Sequence, residues 1–150
     1  MIIELIPLES KDSDIFGLKM IHKMSSVAKF ISISDNYFDY VTGTKGVTYY
    51  KIYCDDELVG SIHCEKTDGT MYLSICIDEK RRRMGIAEAS LNHLFLILTN
   101  DINIVEVSID DNNLPSIALF KKTWLYTNTS RGRIDNITEN FTLTNYSLSD

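Results

Sequence analysis

Ile75-Cys76-Ile77-Asp78-Glu79-Lys80-Arg81-Arg82-Arg83-Met84-Gly85-Ile86-Ala87 is the stretch from which the rest of the chain can be read. An apolar, strand-like run ends at Ile77, and four consecutive cations follow from Lys80 to Arg83. From Gly85 the apolar spacing changes period, and Ile86, Ser90, Leu91, Leu94, Phe95 and Leu98 mark one face of a helix. Cations crowded at a helix start oppose the macrodipole, which favours negative charge there. An anion bound at that point removes the conflict. The helix start presents backbone N–H groups, Gly85 and Ala87 let the backbone come close, and the arginines add charge. A phosphate or pyrophosphate suits such a place; the bland alternative is a solvated charged turn. Neither the GxxxxGK[S/T] loop nor a GxGxxG after the first strand occurs in the chain.

Working outward, Val47 to Cys54 is β-branched and aromatic, and Asp55-Asp56-Glu57 turns it into Leu58 to Glu65. Asp68-Gly69 is a tight-hairpin signal leading into Thr70 to Ile77, so these three strands form an antiparallel meander. Upstream, Met1 to Ile6 is a short strand closed by Pro7. Ser13 offers an N-cap, and Ile15, Leu18, Ile21, Met24 and Ala28 predict one helix with a single buried stripe. Asp35 to Gly46 reads as a short helix and a loop. Downstream, Ile102 to Ile109 is a strand, and Asn113 with Pro115 opens a helix ending near Lys122. Trp124 to Ser147 reads as two strands around Arg131-Gly132. The order predicts an α/β fold: a mixed central sheet, built from an antiparallel meander plus a β-α-β crossover, with helices on both faces.

The chain has 150 residues, 44% hydrophobic and 24% charged, which suits one folded domain over 1–150 and excludes disorder or coiled coil. A net charge of −6 argues against a nucleic-acid partner, and the arginine run has no second basic cluster to support it. Cys54, Cys64 and Cys76 form no CxxC pair and His22, His63 and His93 are scattered, so no metal is expected and the thiols read as buried and free. The apolar run Leu94 to Leu98 is far short of the ~20 residues of a membrane span. The N-terminus shows no basic start or cleavage site, so a cytoplasmic location is expected. The sequons that begin at Asn128, Asn136, Asn140 and Asn145 are discounted on that ground. The polar, alternating C-terminal strands offer an edge for a homodimer.

Arg82-Arg83-Met84-Gly85-Ile86-Ala87 fits the (Gln/Arg)-x-x-Gly-x-(Gly/Ala) signature of the GNAT superfamily, the acetyl-CoA-dependent N-acetyltransferases, and the chain resembles that family. Asn113-Leu114-Pro115-Ser116-Ile117-Ala118-Leu119-Phe120-Lys121-Lys122 resembles the family's second motif, at the right separation from the first. The resemblance implies a GNAT-like fold with acetyl-CoA as co-substrate. The backbone of Ile75, Cys76 and Ile77 would then pair with the pantetheine arm. The amides of Arg82, Arg83, Met84, Gly85, Ile86 and Ala87, with Glu88 at the far end, would cradle the pyrophosphate. Asn113 would hydrogen-bond the pantetheine, and Ser116 and Phe120 would lie along it toward the thiol. Two departures stand out: Phe120 replaces a Tyr able to protonate the leaving thiolate, and Trp124 replaces the Gly that usually ends this helix.

Acetylating an amine requires a base to take its proton. On the strand Ile102 to Ile109, Glu106 and Ser108 face away from Val105, Val107 and Ile109, which makes Glu106 the first candidate base. His63 and Glu65 are alternates, and Tyr126 is the candidate acid. Glu106, Asp110 and Asp111 would steer a cationic amine toward the site. Two functions remain open: an enzyme moving acetyl groups to a primary amine, and an acyl-CoA-binding sensor or interaction module of the same fold with little catalysis.

Overall fold

The computed structural model describes residues 1–98, 102, 104–110, 112–123, 126–129 and 137–144. The chain runs β1 (Ile3–Pro7), α1 (Ile15–Lys23), α2 (Ser25–Ala28), α3 (Tyr37–Gly43), β2 (Val47–Cys54), β3 (Glu57–Thr67) and β4 (Thr70–Ile77). It continues with α4 (Ile86–Ile97), β5 (Ile104–Asp110), α5 (Leu114–Thr123), β6 (Tyr126–Thr129) and β7 (Ile137–Thr144). The strands form one 7-stranded sheet in the order β1-β2-β3-β4-β5-β7-β6. Among the described residues only the β4–β5 neighbours are parallel, which is the crossover that the change of period at Gly85 predicts.

The sheet carries helices on both faces. Ile62, Met71, Leu73, Val105, Val107 and Ile109 pack with Ile86, Leu91, Leu94 and Phe95 of α4 and Phe120 of α5. On the other face, Leu18, Phe38 and Val41 close over Tyr49, while Ile21 and Val27 pack on Cys76. Burying side chains of this size contributes about 1.5–3 kcal/mol each. The four anchors of α4 therefore outweigh repulsion among exposed cations at its start, where single pair terms stay below about 1 kcal/mol. Packing fixes the position of that helix start, whatever the local charge prefers.

The first helical segment differs from the single helix expected from Ser13 to Ala28. Asp14 is the N-cap, and the chain breaks at Met24, whose ψ of 135° is extended. Ser25 and Ser26 follow the break, and serines compete with the helical backbone for hydrogen bonds. Ser26 donates to Glu79 Oε2 at 2.6 Å, which ties α2 to the turn after β4. Before α1, Lys51 of β2 holds both Asp12 (3.0 Å) and Asp14 (2.8 Å), and Tyr53 donates to Asp14. Burial disfavours the Lys51 charge, yet the hydrogen bonds to Asp14 and Asp12 outweigh it and raise its pKa.

Two departures from regular pairing shape the middle of the sheet. Ile52 pairs with Gly60 and Tyr53 with Leu58, so Val59 is an extra residue on β3. The second is larger. β4 and β5 pair only at Thr70↔Ile104, Met71↔Val105 and Tyr72↔Glu106, while β4 runs on to Ile77 and β5 to Asp110. The strands part after Tyr72 and leave a wedge.

Gly60 lies behind that wedge. A Cβ there would press into the Cys76 carbonyl oxygen and sit 3.1 Å from Ile77 Cα. Gly60→Ala should therefore destabilise the fold by about 1–3 kcal/mol through overpacking, lowering the melting temperature by several degrees. An Ala tolerated in an open strand would stabilise it instead. A calorimetric melting temperature equal to or above the wild type would contradict the close approach of β3 to β4.

Candidate functional site

The turn after β4 is built around its own carboxylate. Asp78 Oδ1 accepts from Lys80 N–H at 2.9 Å and starts a single 3₁₀ turn, Glu79–Arg81. Arg81 leaves the turn to pair with Glu57 at the start of β3. Arg82 is extended, and Arg83 (φ 63°) and Gly85 (φ 78°) are left-handed. Gly85 is the N-cap of α4, with no side-chain cap, and its carbonyl takes the first helical bond from Ala89. The amides of Ile86 and Ala87 precede that bond, as in any helix start. A Cβ on Gly85 would meet nothing within 4 Å, so the N-cap opens onto free space. The start of α4 thus borders this space, and helix starts favour anions.

The free space is a cleft of about 640 Å³. Its walls include Ile75, Cys76 and Ile77 on β4, Arg82, Arg83, Gly85, Ile86, Ala87 and Glu88 at the α4 start, and Asn113 and Ser116 on α5. The cleft thus gathers most of the cofactor residues expected from sequence. Two stand apart. Met84 is 57% exposed and off the wall, and Phe120 is buried in the core beneath α5. Asn113 caps α5, its Oδ1 accepting from Ser116 N–H at 3.4 Å. The opposite wall, Ser26, Val27, Lys29, Phe30 and Ile31, was not foreseen. Its one sequence signal is the Ser25-Ser26 pair that breaks the first helix.

At the apex of the wedge stands Glu106, half-buried and turned away from Val105 and Val107. Its row also holds Tyr72 and Glu65, since Glu65 pairs with Tyr72 and Tyr72 with Glu106. Glu65 Oε1 accepts from Tyr40 O–H at 2.7 Å and from His63 Nε2 at 2.9 Å. The Tyr40 hydrogen bond, against some burial and with help from His63, holds the Glu65 carboxyl below its usual range. With Nε2–H donating to that carboxylate, His63 Nδ1 is the acceptor for Tyr37 O–H at 2.6 Å. Burial pushes Tyr37 upward, so it stays a phenol.

Behind β4 lies a second polar chain. Tyr49 O–H donates to Ser61 Oγ at 2.7 Å, so His22 Nε2–H donates to the Tyr49 oxygen at 3.0 Å. Ser61 in turn meets Cys76 Sγ at 3.1 Å. Burial lowers the His22 pKa and raises that of Cys76. The Cys76 thiol is therefore protonated at neutral pH and acts as a packed wall of the cleft, not as a nucleophile. Tyr126 opens β6 opposite Leu143, and its side chain lies outside the described residues. Among the described residues no three His, Cys, Asp or Glu side chains form a metal-binding group, and no helix is long and apolar enough to cross a membrane.

Comparison with known proteins agrees with this fold. The spermidine N-acetyltransferase from Vibrio cholerae, solved with CoA and spermine, superposes with a TM-score of 0.78 at 10% identity, covering 99% of this chain and 98% of that one. An aminoglycoside acetyltransferase in complex with coenzyme A and kanamycin gives 0.76 at 14% identity, covering 99% and 98%. The ribosomal-protein-S18-alanine N-acetyltransferase from Escherichia coli gives 0.72 at 14% identity, covering 95% and 94%. At such identities the likeness is one of fold. The search of curated proteins found no match. Residues 18–124 match the family described as Acetyltransferase (GNAT) family, which is most of the chain and includes both walls of the cleft. The chain belongs to the GNAT acetyltransferase family.

Proposed function

We propose that this chain transfers the acetyl group of acetyl-CoA directly to a primary amine. The observation that carries the reading is the continuity of the cleft. It runs from the left-handed turn at Gly85, along Ile77, Cys76 and Ile75 of β4, to Asn113 and Ser116 of α5, between strands that part after Tyr72↔Glu106. Acetyl-CoA supplies an acetyl group activated as a thioester. The amides from Arg82 to Ala87, with Glu88 next in the helix, bind its diphosphate, and Arg82 and Arg83 add positive charge. The edge of Ile75, Cys76 and Ile77 pairs with its amide-bearing arm in the manner of an added strand. Asn113 and Ser116 hold the arm from the α5 side. Structures of the same fold hold CoA beside spermine and coenzyme A beside kanamycin, which supports both ligands.

Glu106 takes the proton of the incoming ammonium. The amine pKa near ~10 makes this the larger barrier, because a thiol near ~8.5 is already a fair leaving group. His63 is less suited, as both of its ring nitrogens are engaged by Glu65 and Tyr37. Phe120 has no proton to give and sits in the core, so Tyr126 is the proposed acid for the thiolate. A GNAT-fold protein that binds acyl-CoA with little transfer is the alternative that Phe120 favours.

Saturating coenzyme A at about 100 times its Kd should stabilise the fold by ~2.7 kcal/mol and raise the melting temperature by several degrees. Gly85→Glu should abolish this shift, since it strains a left-handed position and sets a carboxylate where the diphosphate binds. A Gly85→Glu variant with a normal shift would place the diphosphate elsewhere. Glu106→Gln should lower thiol release from acetyl-CoA over an amine panel by roughly 10²-fold while keeping the thermal shift. An unchanged rate would remove Glu106 from the mechanism, and a cofactor-binding wild type without turnover would select the sensor reading.

A further inference from the structure

The walls of the cleft are joined by a contact that the cofactor contacts proposed above do not use. Ser26 on the α2 wall donates to Glu79 Oε2 at 2.6 Å, and Glu79 belongs to the turn that leads into Arg82 and Gly85. The two partners are held very differently. On the Glu79 side the turn is pinned to β3 and to itself. Asp78 N–H donates to the Val59 carbonyl at 2.8 Å, Asp78 Oδ1 accepts from Lys80 N–H, and Arg81 pairs with Glu57. On the Ser26 side, α2 is a single helical turn, Ser25–Ala28, with no side-chain cap and with Val27 as its buried residue. Met24, extended, separates it from α1, so rotation there can swing α2 and leave α1 in place. Val27, with Ile31 beside it, rests on Cys76, which lies on the strand edge along the cleft.

We propose that α2 is a strap over this stretch of the cleft and that the Ser26–Glu79 hydrogen bond is its latch, so that coenzyme A enters and leaves when the latch opens. The proposal rests on the acetyl-transfer reading for the identity of the ligand and adds how access to the site is controlled. The anchors decide which side moves. Opening the turn would break a backbone bond to β3 and an ion pair, whereas lifting α2 gives up the Ser26 bond and the seat of Val27. The turn is therefore the fixed catch and α2 the moving part. Openings of this kind draw on the least anchored segments of a fold. Both latch partners are protein groups outside the proposed diphosphate cradle, so the bond forms equally in the free and the loaded protein. A gate of that sort slows entry and exit by the same factor and leaves the affinity where it was.

Stopped-flow binding of coenzyme A tests this, with Ser26→Ala, Glu79→Ala and Ser26→Thr set against the wild type. High ionic strength screens the charge lost with Glu79. Ser26→Ala and Glu79→Ala should each raise both the association and the dissociation rate constant about three- to tenfold, the size of one charge-assisted hydrogen bond at an exposed site, with Kd kept within about twofold. Ser26→Thr keeps the hydroxyl and should retain the wild-type rates. Rate constants unchanged in both alanine variants, or faster dissociation with association unaltered, would overturn the strap while leaving acetyl transfer standing. So would a ligand-free melting temperature several degrees lower together with a weakened Kd, which would make the contact a structural prop. Failure of coenzyme A to bind the wild type would overturn both together.

Discussion

The pairing of β4 with β5 stops after Tyr72↔Glu106, and both strands continue beyond it. Backbone groups on the separated edges still need partners, because buried N–H and C=O groups are costly to leave unmade. A sheet that closed here would satisfy them internally and leave no room for a ligand. Instead Gly60 lets β3 come tight behind Cys76 and Ile77, and α5 crosses from the end of β5 to form the far wall. The wedge narrows to Glu106, which stands on the last paired row, and opens toward the α4 start.

Charge is distributed along this wedge in a definite order. The chain carries −6 overall, yet its longest cationic run lies at the mouth of the cleft. Arg81 is spent on Glu57, and Glu79 is engaged by Ser26, so part of the run is structural. Arg82 and Arg83 remain on the cleft wall beside a helix start held in place by Ile86, Leu91, Leu94 and Phe95. The narrow end carries the opposite sign, with Glu106 and Glu65 in one row. On the proposed function, an anionic cofactor would be drawn to the first end and a cationic acceptor to the second.

The sequence made the turn and helix start at the mouth of the cleft legible because everything there is local. A strand end, a cation run, a glycine and a new apolar period lie within Ile75 to Ala87, and each has a meaning that needs no tertiary context. The mixed sheet followed from element order in the same way. What escaped depends on register and packing. The break at Met24 turns one expected helix into two and supplies the Ser26–Ile31 wall, and only the Ser25-Ser26 pair hints at it. The Asp68-Gly69 hairpin brings Glu65 opposite Tyr72, but the parallel register that adds Glu106 to the row has no local signal and is invisible until β4 and β5 are aligned. Phe120, placed along the cofactor by resemblance alone, packs into the core because α5 buries that side against Val105 and Val107.

Amide hydrogen exchange with and without coenzyme A addresses the central claim most directly, because it reads the backbone groups that the parted strands and the helix start leave available. The account predicts added protection confined to two stretches, Ile75 to Ile77 on the free edge of β4 and Arg82 to Glu88 around the left-handed turn at Gly85. Protection spread evenly over the sheet, or absent from both stretches while coenzyme A is bound, would contradict it.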